Sequence, residues 1–303
     1  MTSTFRDQLP DEFVANTIAI CGDRGSKWLD ALPDLIASLE ERWHLKADRH
    51  FEGIGYNYVA PATLHDGTLA VLKLGIPQKD IEIYGEAKYL RTLDGRGAIK
   101  LLREDRHDQA ILIERAMPGR ELTEVFKKNP ADSIPVAVDL LSQIRTAAPT
   151  DRSDTVSLDG WFENLRRAKG TEVESYAQKA LDINERLSPQ PGRLGYLHGD
   201  YHPGNIVLSG ERFVVIDPKG IVGHIGYETG AFLLNFCRWQ DQNDELSDLL
   251  THAVDGFAAA LNIEPDEIRQ WAYAQSVLSA WWTFDEMPDL YDDQVAEADI
   301  WDV

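Results

Sequence analysis

The sequence predicts an α+β protein in which a strand-rich part, residues 49–116, is followed by a mostly helical part, residues 117–303. Three observations lead there. Between residues 51 and 116, short runs of alternating apolar residues are separated by turns bearing Gly and Asp, the pattern of strands. From residue 120 onward, apolar residues recur at i, i+3 and i+4, the pattern of helices. The two kinds of element are segregated along the chain rather than alternating, which favours α+β over a doubly wound sheet. At 303 residues and 43% apolar content the chain can fill two lobes or two modest domains.

The elements follow in order. Residues 1–48 form a helical segment, read as two helices over 11–45. Trp28, Leu29, Leu32, Leu35, Ile36, Leu39 and Trp43 make its apolar stripe, with Pro33 as a break or a helix start. Residues 51–57 are a turn bearing Gly53 and Gly55, which lies over phosphates or simply closes a hairpin. It does not complete Gly-x-Gly-x-x-Gly. Strands follow over 58–62 and 68–74, joined by His65-Asp66-Gly67, and the second carries Lys73 near its end. A helix over 81–93 places Glu82 and Glu86 one turn apart on one face. Residues 98–102 and 110–116 pair around a polar turn, and Met117-Pro118-Gly119 breaks the pattern.

Helices are expected at 121–128, 134–147, 160–187, 229–239, 245–260 and 264–284. A short strand at 194–197 leads into the run His198-Gly199-Asp200-Tyr201-His202-Pro203-Gly204-Asn205. Twelve residues after Asn205, the strand Phe213-Val214-Val215-Ile216 ends in Asp217, and residues 220–228 read as a glycine-rich loop. An acidic tail runs from Asp285 to Asp302.

The loop at 198–205 offers one carboxylate and one amide, and the strand after it a second carboxylate. Phosphoryl transfer uses such a kit: one Asp orients the attacking hydroxyl and takes its proton, while an Asn and another Asp hold Mg²⁺. The pattern His-x-Asp-x-x-x-x-Asn followed by strand-then-Asp resembles the catalytic loop and second metal site of the protein-kinase-like fold. The His-Gly-Asp-x-His-x-x-Asn form is closer to its aminoglycoside phosphotransferase branch. By that resemblance Asp200 is the base, and Asn205 and Asp217 are the metal ligands. Lys73 resembles the lysine that pairs with the α- and β-phosphates. Glu86 is preferred to Glu82 as its partner, being deeper in its helix.

Further stretches are similar to the aminoglycoside/hydroxyurea antibiotic resistance kinases in particular. They are Trp28-Leu29, Leu32-Pro33, Arg42-Trp43, Ala60-Pro61, and residues 66–74, 94–98 and 112–119. Asp217-Pro218-Lys219-Gly220 is the most distinctive, and the likeness spans roughly residues 25–240. It implies a small five-stranded nucleotide-binding lobe with one main helix (residues 49–116) and a larger helical catalytic lobe (117–303). It also implies ATP and Mg²⁺ as cofactors, contacts from Gly53 and Gly55 to nucleotide, and adenine held by the backbone of Glu114 and Ala116. The activity implied is transfer of the γ-phosphoryl of ATP to a hydroxyl of an aminoglycoside such as streptomycin. His198 and His202 are expected to brace the loop.

With 51 acidic against 30 basic side chains, a formal charge of −21, a nucleic-acid partner is not expected. An acidic cleft suits a cationic acceptor, although solubility accounts for the charge equally well. Composition and position offer Glu228, Trp281, Trp282, Asp285 and Glu286 as acceptor contacts. Cys21 and Cys237 are too few for a disulfide framework. The polar start, and the lack of any run near the ~18 apolar residues of a membrane helix, lead to the expectation of a cytoplasmic protein without membrane contact. Two other readings are carried: a kinase of an endogenous sugar, amino sugar or amino alcohol, and a nucleotide-binding module without catalysis. The set of Lys73, Asp200, Asn205 and Asp217 speaks against the second, because a binding module needs no base.

Overall fold

The computed structural model describes residues 5–78, 82–153, 155–240, 244–286, 295–301 and 303. Ile81, and residues 287–294 and 302 of the acidic tail, lie outside the described residues. The chain divides into two compact units, one of residues 1–95 and 99–116, the other of 96–98 and 117–303.

The first unit opens with α1 (Asp11–Cys21) and α2 (Asp23–Trp43). The break between them falls at Gly22, whose φ of 57° favours glycine, and not at Pro33, which lies inside α2. The two helices meet closely: a Cβ on Gly25 would stand 2.4 Å from the Thr17 carbonyl oxygen. Strands β1 (Leu45–Ala47), β2 (Asn57–Leu64) and β3 (Leu69–Gly75) follow, then helix α3 (Glu82–Leu93), β4 (Leu101–Asp105) and β5 (Ala110–Glu114). The strands form one antiparallel sheet in the order β1-β2-β3-β5-β4.

Strand alternation divides the side chains of this sheet between its faces. Ala70, Leu72, Leu74, Ala110 and Leu112 share one apolar cluster with Leu29, Leu32, Leu39 and Trp43 of α2. The stripe read from the sequence therefore builds the first unit's own core. Lys73, between Leu72 and Leu74, is sent to the opposite face, where α3 packs on β3, β4 and β5.

The second unit contains β6 (Pro118–Glu121), α4 (Leu122–Val125), α5 (Ser133–Ile144), β7 (Thr146–Ala147), α6 (Leu158–Glu163) and α7 (Glu174–Leu187). Then come β8 (Leu194–Leu197), β9 (Ile206–Ser209), β10 (Arg212–Val215), β11 (Ile221–His224), α8 (Glu228–Trp239), α9 (Leu246–Leu261) and α10 (Pro265–Glu286). Two three-stranded antiparallel sheets, β10-β9-β6 and β11-β8-β7, carry the loops of interest. Helix α10 packs against α7, α8 and α9. Phe162, Tyr227, Phe232, Phe257 and Trp271 are fully buried among these elements.

Residues 221–224, expected in a glycine-rich loop, are instead β11, paired with β8. Gly223 is required by close packing, since a Cβ there would lie 2.5 Å from Cβ of Leu158. The stretch 160–187, which can hold one helix or two, holds two, α6 and α7, joined by a 3-10 turn at Asn164–Ala168. Among the described residues no helix is long and apolar enough to cross a membrane.

Candidate active site

In the first unit, Lys73 Nζ donates to Glu86 Oε2 at 2.6 Å, and the two side chains are only 7% and 5% exposed. Glu82, one turn earlier, is exposed. An ion pair this dry fixes a cation in place, because removing either partner leaves a buried charge without its counter-charge. In the turn between β1 and β2, Gly53 has φ of 71°, and a Cβ on Gly53 or Gly55 would meet nothing within 4 Å. The turn is tied to α1 by Asn16 Nδ2, which donates to the Gly55 carbonyl at 3.2 Å. At the end of β5 the N–H of Glu114 donates to the Lys100 carbonyl at 2.8 Å. Ala116 lies two residues past that bond.

In the second unit, β8 delivers the loop 198–205, and the β9–β10 hairpin delivers Asp217. Asn205 Nδ2 donates to the backbone oxygen of Asp200 at 3.0 Å and to its Oδ2 at 3.2 Å. His198 is fully buried; its Nδ1 accepts from the N–H of Asp200 at 3.2 Å and its Nε2 lies 2.9 Å from the Ile216 carbonyl. These contacts fit one neutral tautomer, with Nε2–H donating. Burial pushes the His198 pKa down to about 4, so the ring stays neutral and acts as a brace. His202 repeats the device, its Nδ1 accepting from the N–H of Gly204 at 3.1 Å, with Nε2 3.7 Å from Asp200 Oδ1.

Asp217 is held against this loop by its neighbour: the Ile216 N–H donates to the Asn205 carbonyl at 3.0 Å. Its φ of 60° is left-handed, a conformation of the kind that costs roughly 1–3 kcal/mol and gathers at functional sites. The carboxylate is 41% exposed, with Lys219 Nζ 3.9 Å away. The Asp200 side chain is 35% exposed. The structure thus brings Asp200 together with Asn205, and Asp217 to the adjoining strand end.

The donor chemistry fits a magnesium ion. Because Asn205 Nδ2 is engaged by Asp200, its amide has the oxygen to offer, beside the carboxylate of Asp217. Among the described residues no group of three or more His, Cys, Asp or Glu could hold a metal ion. A site of one amide and one carboxylate suits Mg²⁺, which keeps most of its shell as water and substrate phosphate.

Glu228 is placed differently from the acceptor contact that composition suggested. It is 4% exposed, and its two oxygens accept the N–H groups of His198 and Gly199, the latter at 3.0 Å. Burial raises its pKa to about 7 against the lowering effect of those two bonds. It supports the loop from behind. Trp281 is likewise a core residue, 4% exposed and stacked on Phe284. Trp282 is half-buried, its ring perpendicular to that of Trp161 at 5.3 Å. The side chains of Asp285 and Glu286 lie outside the described residues. Trp161 was missed by sequence reasoning, because a tryptophan on a six-residue helix carries no periodic signal.

Comparison with known proteins extends this picture. The sequence profile described as "Aminoglycoside/hydroxyurea antibiotic resistance kinase" matches residues 42–286. A streptomycin 6-kinase of Streptomyces glaucescens is 28% identical over 288 residues, covering 92% of each chain. A hydroxyurea phosphotransferase of Kitasatospora aureofaciens is 29% identical over 287 residues, covering 92% of this chain and 81% of the relative. Among solved structures, an amicoumacin kinase in complex with AMP-PNP, Ca²⁺ and Ami superposes with a TM-score of 0.61 at 16% identity, covering 88% of this chain and 91% of that one. The α+β architecture is therefore that of the protein-kinase-like phosphotransferases.

Proposed function

The chain belongs to the aminoglycoside/hydroxyurea antibiotic resistance kinase family, and from that premise we propose that it moves the γ-phosphoryl of ATP to a hydroxyl of a cationic small molecule, an aminoglycoside such as streptomycin. The observation that carries this reading is the state of Asp200: a half-exposed carboxylate, clamped on one oxygen by Asn205, on a loop braced by the neutral ring of His198. A group so held keeps an oxygen for an incoming hydroxyl.

In this mechanism Lys73, fixed by Glu86, meets phosphate oxygens with a charge already in position. The open backbone at Gly53 and Gly55 leaves room for the same phosphates. Since the Glu114 N–H is engaged by Lys100, adenine would take the Glu114 carbonyl and the Ala116 N–H. Asn205 and Asp217 would hold Mg²⁺, which when bound supplies neutralisation of phosphate charge. Asp200 aims the acceptor hydroxyl and accepts its proton as the new O–P bond forms and the bond to the ADP oxygen breaks. His198 and Glu228 keep the loop in register. Little covalent chemistry is required of the protein beyond positioning.

A second reading, the same transfer to a small uncharged acceptor, is favoured by the 29% identity to a hydroxyurea phosphotransferase. ADP release by the purified protein with Mg-ATP, measured against streptomycin, other aminoglycosides, simple amino sugars and hydroxyurea, tests both. Greater release with an aminoglycoside than with hydroxyurea is expected. Release with hydroxyurea alone favours the second reading, and release with no acceptor overturns both.

A further inference from the structure

Most of the large aromatic side chains of the second unit are core residues: Trp271, Phe232, Phe236 and Phe257 are fully buried. Trp161 and Trp282 are only partly buried, and Trp161 lies against the reactive loop. Trp161, on α6, is half-buried and approaches Gly199 so closely that a methyl group on that glycine would stand 3.3 Å from its Cη2. Gly199 is the residue immediately before Asp200. Trp282, on α10, is also half-buried, and its ring meets that of Trp161 edge-on at 5.3 Å and 89°. Its neighbour Trp281 points about 100° away around the helix and into the core. Tyr227 backs the pair, 6.3 Å from Trp161 and fully buried.

Neither indole N–H of the pair makes a hydrogen bond among the described residues. Trp161 stands against the residue before the base, with Trp282 edge-on to it at 5.3 Å. Such a corner attracts a cation, whose charge meets the negative face of the indole. The chain's net charge of −21 adds a long-range pull on the same class of ligand.

We propose that Trp161 and Trp282 form an acceptor subsite beside Gly199 and Asp200, which takes a cationic group, an ammonium or a guanidinium, of the hydroxyl-bearing substrate. The inference rests on the phosphotransferase reading above and adds which residues take the charge of the acceptor. Packing of the cation on the indoles holds the acceptor so that a hydroxyl falls to Asp200, and Trp161, touching Gly199, ties the subsite to the loop it serves.

The test is the steady-state kinetics of full-length Trp161→Leu and Trp282→Leu with Mg-ATP, using guanidinium-bearing streptomycin and uncharged hydroxyurea as acceptors. The KM for streptomycin should rise about tenfold in each variant, with kcat and the KM for ATP within about twofold of wild type. The KM for hydroxyurea should not move. Trp161→Phe and Trp282→Phe should recover most of the loss; if the leucine variants do not fold, these carry the test, with a smaller rise expected. An unchanged streptomycin KM overturns the subsite, as does a rise shared by ATP and hydroxyurea, the mark of a merely structural role. A wild type that phosphorylates only uncharged acceptors overturns the cationic subsite and leaves the phosphotransferase reading standing. A wild type inert with every acceptor overturns that reading itself.

Discussion

Lys73 and Asp200 are both charged and both proposed to act in one reaction, yet the two units hold them in opposite ways. Lys73 is dry and neutralised by a charge, its Nζ 2.6 Å from Glu86 with both side chains at 7% exposure or less. Asp200 is 35% exposed and held without a counter-charge of that kind: the Asn205 amide donates to its Oδ2, and the buried, neutral ring of His198 accepts its N–H. The difference follows from what each must do. A cation that meets phosphate has only to be in the right place, and a fixed counter-ion places it. A base must keep its affinity for a proton, which a cation bound to it would lower. Neutral donors can aim the carboxylate without taking its charge away.

Breaking one side of the Lys73 pair should have the largest effect on the fold. Glu86→Gln removes the buried carboxylate 2.6 Å from the Lys73 ammonium and should cost roughly 3–5 kcal/mol, read as a fall in the denaturant midpoint. The double variant Lys73→Met/Glu86→Leu sharpens the point. It should regain most of that stability while losing productive use of ATP, separating what the pair does for the fold from what it does for the reaction. A double variant as unstable as the single one would contradict this account.

On the other side of the comparison, Glu228→Gln should cost about 1–3 kcal/mol, because an amide offers one acceptor oxygen to the two N–H groups of His198 and Gly199. The displaced loop should lower kcat between about tenfold and a hundredfold while the KM for ATP holds. Equal losses in kcat and ATP affinity would show instead that Glu228 acts on the unit as a whole.

The smallest effect expected is on the pH dependence of stability. His198 and His224 have pKa values depressed by burial to about 4, so on unfolding below pH 6.5 they take up protons. Their contribution is present above pH 6.5 and is lost as pH falls toward 4. Glu228, raised to about 7, works in the opposite sense: its contribution is full below its unfolded value near 4.5 and is lost as pH rises to 7. Two histidines against one glutamate leave stability falling on acidification between pH 6.5 and 4.5. In His224→Gln the fall should be shallower, which thermal melts across that range would read. A slope as steep as the wild type's would remove His224 from the account.

His224 repeats the brace of the reactive loop away from it, its Nδ1 accepting from the N–H of Gly226 at 3.0 Å. Such local devices were hard to read from sequence. Glycines at 220, 223 and 226 suggested a loop over what is β11, because close packing on Leu158 demands Gly223 as firmly as a turn would. Pro33 suggested a break that Gly22 makes instead. The stripe of α2, the strand bearing Lys73 and the helices α8 to α10 were legible because each has a long period of apolar residues. The loop 198–205 was legible because its chemistry is local. The roles of Glu228 and Trp161 were not, since each acts on residues 29 or more positions away, across contacts that only the folded chain makes.

The most direct test of the central claim is single-turnover transfer of the terminal phosphoryl from saturating Mg-ATP to whichever acceptor the wild type uses, compared between wild type and Asp200→Asn. Asparagine keeps the shape of the side chain and removes its affinity for a proton. The account predicts a loss of about 10²–10⁴-fold in the transfer rate, with AMP-PNP affinity unchanged. Transfer at close to the wild-type rate would contradict it, and would move the base away from Asp200.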